Sequence, residues 1–197
     1  MRIGNLINNS TAEVKNHIAD VIWFQGCYFK CPYCFNPELR DMNNGIEMTV
    51  AEIIQSLSGL SDVVVLTGGE PLHQSNIEIE NLIYELQQYG KKVVIETAVF
   101  SQIIYMHADK IYGSIFCYEP LTNIDLLESL DYYKNVELVV VIGYPQFRLD
   151  VFRDLIKHTK KDIWIKYYNG KICDTKEIYR ILKGYHKPCK VLDKLVL

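Results

Sequence analysis

The stretch Val21-Ile22-Trp23-Phe24-Gln25-Gly26-Cys27-Tyr28-Phe29-Lys30-Cys31-Pro32-Tyr33-Cys34-Phe35-Asn36-Pro37 runs an apolar, β-branched and aromatic segment straight into a loop with three cysteines. The first half reads as a strand, and Gly26 marks its exit because glycine tolerates backbone angles that other residues avoid. Cys27, Cys31 and Cys34 then follow in a C-x3-C-x2-C pattern, half of the six cysteines in the chain. Three thiolates offered to a [4Fe–4S] cluster leave one iron open, because such a cluster ordinarily takes four. A substrate or a cofactor would then complete the coordination. Zinc would ask for a fourth N or S ligand, usually from a second closely spaced pair. Cys117, Cys173 and Cys189 are isolated, and the nearest downstream histidine is His73.

Outward from this loop, β-rich runs alternate with amphipathic ones. Strands are expected over Val21–Gln25, Asp62–Leu66, Lys92–Glu96, Ile111–Cys117, Val136–Ile142 and Ile163–Tyr167. Thr49-Val50-Ala51-Glu52 and Ser75-Asn76-Ile77-Glu78 have the capping-box pattern, and Ile79, Leu82, Ile83 and Leu86 repeat with the helical period. Further helices are expected near Ser101–His107, Ile124–Tyr133, Leu149–Thr159 and Thr175–Lys183.

Six strands alternating with helices predict an α/β fold with a parallel sheet and right-handed crossovers. A closed eight-unit barrel usually takes about 250 residues. The 197 residues here predict instead a partial open (βα)6 barrel, one domain over residues 1–197 without linker or repeat. In such a fold the loops after the strands build the site. The cysteine loop follows the first expected strand, and Thr67-Gly68-Gly69-Glu70-Pro71 follows the second, so both fall on one rim. Gly68 and Gly69 allow close backbone approach to a ligand, and Glu70 offers an acceptor for an ammonium group.

Composition excludes little but points one way. A net charge of −3 with interspersed signs gives no reason to expect nucleic acid or an anionic membrane as partner. No 18-residue apolar run and no signal-peptide pattern is evident, so the expectation is a cytoplasmic protein with reduced cysteines.

Together, Cys27, Cys31, Tyr33 and Cys34 match the C-x3-C-x-aromatic-C motif, and Gly68 to Pro71 match Gly-Gly-Glu-Pro; the chain resembles the radical S-adenosylmethionine (SAM) enzymes. The resemblance implies that the open iron is chelated by the amino and carboxylate groups of SAM's methionine. It implies that Glu70 and the Gly68/Gly69 backbone hold that amino group, and that Tyr33 lies near the adenine. Glu96-Thr97 resembles the family's acidic-Thr pair contacting the ribose or methionine part, although Ala98-Val99 replaces the usual Asn/Ser-Gly after it. Val141-Ile142-Gly143 resembles the adenine-contacting motif of the fifth strand.

Phe24-Gln25-Gly26-Cys27 and Phe35-Asn36-Pro37-Glu38 resemble most the small activating proteins of glycyl radical enzymes, above all those of anaerobic ribonucleotide reductase. That likeness implies a glycyl radical enzyme as protein substrate and reduced flavodoxin or ferredoxin as electron donor. It is clearest from Val21 to Thr97. Beyond it the chain carries Ser114-Ile115-Phe116-Cys117-Tyr118 where activases tend to have Asp-x-Lys, and the usual N-terminal Asp-Gly-Pro-Gly is missing. Leu66 to Leu72 and Val94 to Thr97 also resemble 7-carboxy-7-deazaguanine synthase, a small-molecule radical SAM enzyme. An Fe–S electron carrier is a third, non-enzymatic reading, one with no use for the Gly-Gly-Glu-Pro loop.

Cys117, expected at the catalytic rim, is a candidate hydrogen donor or substrate contact, against the alternative of an inert buried thiol. Cys173 and Cys189 are candidate ligands of an auxiliary cluster, or ordinary thiols. Lys166, Tyr167 and Tyr168 end the last expected strand, where they could meet a carboxylate or phosphate, or simply be a solvated strand end.

Overall fold

The computed structural model describes residues 1–31, 34–103, 106–117, 119, 121, 124–168 and 175–192. Two compact units divide the chain, one holding Met1–Ile111 and the other beginning at Tyr112. Each is α/β, with a largely parallel sheet.

In the first unit the strands are β1 (Arg2–Ser10), β2 (Ala19–Phe24), β3 (Ile46–Glu47), β4 (Val63–Gly68) and β5 (Lys92–Thr97), in the order β3-β1-β2-β4-β5. β2, β4 and β5 are parallel, with Phe24 beside Gly68 and Leu66 beside Ile95. Their runs of Val, Ile and Leu are almost wholly buried, as expected of strands covered on both faces. β1 was not expected from its Asn-rich sequence. It pairs antiparallel with β2 through an irregular register, broken between Ile3 and Asn5 and between Ile7 and Ser10. Here a neighbouring strand supplies what local propensity does not. Asp20, fully buried inside β2, accepts hydrogen bonds from Asn9 N (3.0 Å), Ser58 N (3.2 Å), Ser58 Oγ (3.0 Å) and Ser61 Oγ (2.7 Å), which offsets its desolvation.

Helices α1 (Val50–Ser56), α2 (Asn76–Gln88) and α3 (Phe100–Ile103) complete this unit. At α1 the expected capping box forms, with Thr49 Oγ1 accepting from Glu52 N and the Glu52 carboxylate accepting from Thr49 N. At α2 it does not: Ser75 makes no side-chain cap bond, and Glu78 lies 3.5 Å from the Met1 ammonium. The helix forms regardless. Ile79, Leu82, Ile83 and Leu86 are all buried, each worth about 1.5–3 kcal/mol, against about 1 kcal/mol for a cap.

The second unit contains most of β6 (Lys110–Phe116), then β7 (Val136–Ile142), β8 (Ile163–Tyr167) and β9 (Cys189–Val191), adjacent in that order. β7, β8 and β9 are parallel. β9 and the two-residue β3 are too short to leave a periodic signal and were not expected. Helices α4 (Ile124–Ser129), α5 (Leu149–His158) and α6 (Lys176–Gly184) fall near their expected places, with Val151, Phe152, Leu155 and Ile156 of α5 buried. The expected Ile124–Tyr133 helix is α4 followed by a 3-10 turn, Leu130–Tyr132. No helix among the described residues is long and apolar enough to cross a membrane.

Candidate cluster site on the first unit

The parallel ladder of β2 and β4 continues past the strand ends. Gly69 N donates to Phe24 O (2.8 Å) and Glu70 N to Gly26 O (3.1 Å), so the cysteine loop and the Gly-Gly-Glu-Pro loop leave the sheet side by side. Gly68 has φ +112°, and a Cβ there would lie 2.5 Å from Phe24 N. A Cβ on Gly69 would lie 2.6 Å from both Gly26 O and Leu39 O. The two glycines therefore let the two loops approach one another, a use beyond the ligand approach expected from the sequence. Gly26 has φ +97°, which only glycine adopts without strain.

The chain returns to the same place after the cysteines. Gly26 N donates to Leu39 O (2.8 Å) and Cys27 N to Arg40 O (3.2 Å), closing the loop at its base. Gln25, buried, donates through Nε2 to Asp41 O (2.8 Å) and Glu38 O (3.3 Å). Its carbonyl accepts from Gln74 Nε2 (3.0 Å), and Gln74 Oε1 accepts from Arg2 N (3.0 Å). Gln25 enters the sequence reading only as a strand end and as part of the Phe24-Gln25-Gly26-Cys27 resemblance, and Gln74 not at all. Their pattern carries no chemistry, and the partners lie 13 to 72 residues away.

Within this frame Cys27, Cys31 and Cys34 are partly buried and in no disulfide. Cys34 N donates to Cys31 O (3.3 Å). Burial pushes the Cys27 thiol up to about 11; a hydrogen bond from the Phe29 backbone opposes the rise, and the nearby Glu70 carboxylate, Cys31 and Cys34 add to it. The structure thus brings Cys27, Cys31, Cys34 and Glu70 into one electrostatic neighbourhood. Among the described residues no three His, Cys, Asp or Glu side chains converge to clasp a single metal ion. In a [4Fe–4S] site each thiolate takes its own iron, and three thiolates are the donor chemistry of that cluster, so the residues present fit it.

Glu70 is 3% exposed. Its Oε1 accepts from Thr97 Oγ1 (2.6 Å) and Leu72 N (3.0 Å), and its Oε2 from Ala98 N (2.8 Å). Burial raises its pKa, and these three donors oppose the rise. Thr67 Oγ1 donates to Glu96 Oε2 (3.0 Å), and Thr97 Oγ1 accepts from Val99 N (3.0 Å). Glu70, Glu96 and Thr97 are therefore gathered where β4 and β5 end. A carboxylate has about four acceptor positions, so three protein donors leave Glu70 capacity for one more. An ammonium only donates, so the backbone groups it could use here are carbonyl oxygens; the amides of Gly69 and Glu70 donate to the β2 exit instead.

His73, unremarked in the sequence except as the nearest downstream histidine, closes the 3-10 turn Pro71–His73. Its Nδ1 accepts from Tyr28 N (3.0 Å), and its ring lies 4.7 Å from that of Tyr28 and 5.1 Å from that of Phe29. Partial burial lowers its pKa, and an accepting Nδ1 is the neutral form.

The remaining expected site residues fall outside the described residues or in the second unit. Tyr33 and Cys173 lie outside the described residues, as do Tyr118 and the side chain of Cys189. Val141 is buried within β7 of the second unit. Cys117 follows β6 and is fully buried, which pushes its thiol up to about 12; its carbonyl accepts from Arg148 N (2.7 Å). Lys166 and Tyr167 are at the end of β8, partly exposed, with Tyr168 just beyond.

Residues 18–111 match the family of the 4Fe-4S single cluster domain. The chain is 26% identical to the pyruvate formate-lyase-activating enzyme of Clostridium pasteurianum over 191 residues, 91% of this chain and 74% of that protein. It is 33% identical to a putative glycyl-radical enzyme activating enzyme of Methanocaldococcus jannaschii, over 48% of this chain and 39% of that one. Over 75 residues it is 41% identical to the 7-carboxy-7-deazaguanine synthase of Pyrobaculum aerophilum, 37% of this chain and 33% of the relative. The chain thus spans well under half the length of two of these three relatives. Among solved structures, its fold is similar to that of Streptococcus suis SuiB bound to precursor peptide SuiA, with a TM-score of 0.58 at 15% identity over 93% of this chain and 48% of the other. The cysteine loop and the strand ends that frame it thus lie in the stretch that is similar to a radical SAM-type 4Fe–4S domain, a likeness that implies a [4Fe–4S] cluster and S-adenosylmethionine as cofactors.

Proposed function

We propose that the chain activates a glycyl radical enzyme, anaerobic ribonucleotide reductase being the example suggested by the resemblance of its cysteine-loop motifs to that enzyme's activating proteins. The observation that carries this reading is the extent of likeness: similarity to an activating enzyme runs over 91% of the chain, whereas similarity to the deazaguanine synthase is confined to 37%. The domain is read as a partial open (βα)6 barrel over residues 1–197.

When bound, the reduced cluster and SAM would supply one-electron reductive cleavage of the S–C5′ bond, and with it the capacity to take a hydrogen atom from the partner's glycine. In this reading Cys27, Cys31 and Cys34 hold three irons. Glu70 and the Gly68 and Gly69 carbonyls hold the methionine ammonium, and Glu96 and Thr97 meet the ribose or the methionine part. Tyr33 and Val141 contact the adenine. The protein's work is positioning and exclusion of water, and reduced flavodoxin or ferredoxin supplies the electron. Cys117, fully buried with its thiol proton retained, is read as an inert core thiol.

The test is anaerobic turnover of reconstituted, reduced protein with SAM and a co-encoded glycyl radical enzyme. The expected products are 5′-deoxyadenosine and a persistent glycyl EPR doublet on the partner, with deuterium passing from a labelled glycine into 5′-deoxyadenosine. The 41% identity to a 7-carboxy-7-deazaguanine synthase favours a second reading, in which 6-carboxytetrahydropterin donates the hydrogen. Turnover of that pterin without any glycyl signal would replace the first reading by the second. Failure to bind SAM at all would leave an electron carrier.

A further inference from the structure

We propose that His73 is a positioning residue for the cluster, holding the Cys27–Tyr28 peptide and with it the turn that presents the Phe29 N–H to the sulfur of Cys27. The inference rests on the reading of Cys27 and Cys31 as cluster ligands. Three residues, Tyr28, Phe29 and Lys30, separate those ligands, and they form no regular element. Tyr28 is 68% exposed and Phe29 36%, so core packing does not immobilise them. His73 does so from outside the loop. Its Nδ1 takes the Tyr28 N–H at 3.0 Å, and its ring backs both aromatic rings.

His73 is itself fixed. Its backbone N–H donates to Glu70 O (3.1 Å), and the preceding Pro71 and Leu72 are buried. The next amide along from Tyr28, that of Phe29, is the one that hydrogen-bonds to Cys27. Hydrogen bonds to ligand sulfurs are among the levers that set the reduction potential of an Fe–S cluster, because they stabilise negative charge on the thiolate. A chain of contacts therefore runs from the Glu70 loop through the imidazole to the cluster's first ligand. What His73 contributes is an acceptor at the Nδ1 position, with the proton on Nε2.

That assignment separates two substitutions. His73→Ala removes both acceptor and ring, whereas His73→Asn places a side-chain oxygen near the lost Nδ1. In the metal-free protein, hydrogen exchange at the Tyr28 and Phe29 amides should quicken about three- to tenfold in His73→Ala, as expected for loss of one hydrogen bond, and stay near wild type in His73→Asn. On reconstituted protein, His73→Ala should release iron to a chelator several-fold faster and shift the cluster's midpoint potential to more negative values. His73→Asn should restore most of both. Wild-type exchange in His73→Ala would overturn the proposal, and so would a His73→Asn variant as impaired as His73→Ala, since ring bulk alone would then be at work. A wild-type protein that takes up no cluster would refute the cluster assignment instead, and the exchange experiment would still decide whether His73 holds the loop.

Discussion

Gly69 offers the sharpest test of how the two loops are joined. Its φ is not in the left-handed region, so an alanine there meets no backbone strain of its own. The cost is steric. A Cβ would sit 2.6 Å from Gly26 O and equally close to Leu39 O, and both atoms are backbone, so no side-chain rotation relieves the clash. Each oxygen must retreat by most of an ångström. Gly26 O accepts from Glu70 N and Leu39 O from Gly26 N, so that retreat pulls at the closure of the cysteine loop as well. Overpacking costs about 1–3 kcal/mol and a weakened backbone hydrogen bond about 1 kcal/mol, which together put Gly69→Ala about 3 kcal/mol below wild type. With a urea slope of about 2 kcal/mol per molar, the midpoint should fall by about 1.5 M. Trp23 in β2 reports on the first unit once Trp164, the other tryptophan, is replaced by Phe. Gly184→Ala, where a Cβ meets nothing within 4 Å, serves as the control and should change little. A Gly69→Ala midpoint within about 0.2 M of wild type, well inside the predicted shift, would refute the claim that the two loops are locked at van der Waals distance.

Changing Cys27, Cys31 or Cys34 to Ala should abolish cluster assembly, whereas wild type should yield about four irons and four sulfides per chain; a full cluster in any one variant would refute the ligand assignment. Glu70→Ala should keep the cluster and lose about ten- to a hundredfold in SAM affinity by titration calorimetry, the equivalent of about 1.5–3 kcal/mol for a charge-assisted bond. It should also loosen the Thr97–Ala98 end of β5, seen as faster exchange at Ala98 N, which loses its carboxylate partner. Asp62 accepts a 2.6 Å hydrogen bond from His17 Nδ1, which holds its pKa below the usual 3.8. A carboxylate depressed in the folded state stabilises above its unfolded value and loses that contribution as pH falls through the folded one. Stability measured from pH 5 down to pH 2 should therefore fall less steeply below 3.8 in His17→Ala than in wild type, by a small margin because Asp62 is largely exposed. Identical slopes would show that the pair contributes nothing.

The sequence by itself determined whatever is written in short range. Cys27, Cys31 and Cys34 state their chemistry within eight residues, and the buried strands declare themselves by continuous Val, Ile and Leu because a strand covered on both faces has no polar side. Helix α2 is legible for a similar reason: Ile79, Leu82, Ile83 and Leu86 mark its buried face whether or not Ser75 caps it. Only the tertiary structure decided what depends on distant partners. β1 is a strand because β2 offers it a ladder, not because Asn-rich sequence favours one. Glu70 can be read as an acceptor from its type, but that Thr97 and Ala98 occupy it, beside the local bond from Leu72 N, follows from bringing two strand ends together across 27 residues. Gln25, Gln74 and His73 look like ordinary polar residues. They become the frame of the cysteine loop through hydrogen bonds to partners up to 72 residues away, and a local pattern carries no trace of such a bond because chain closure, not propensity, creates it.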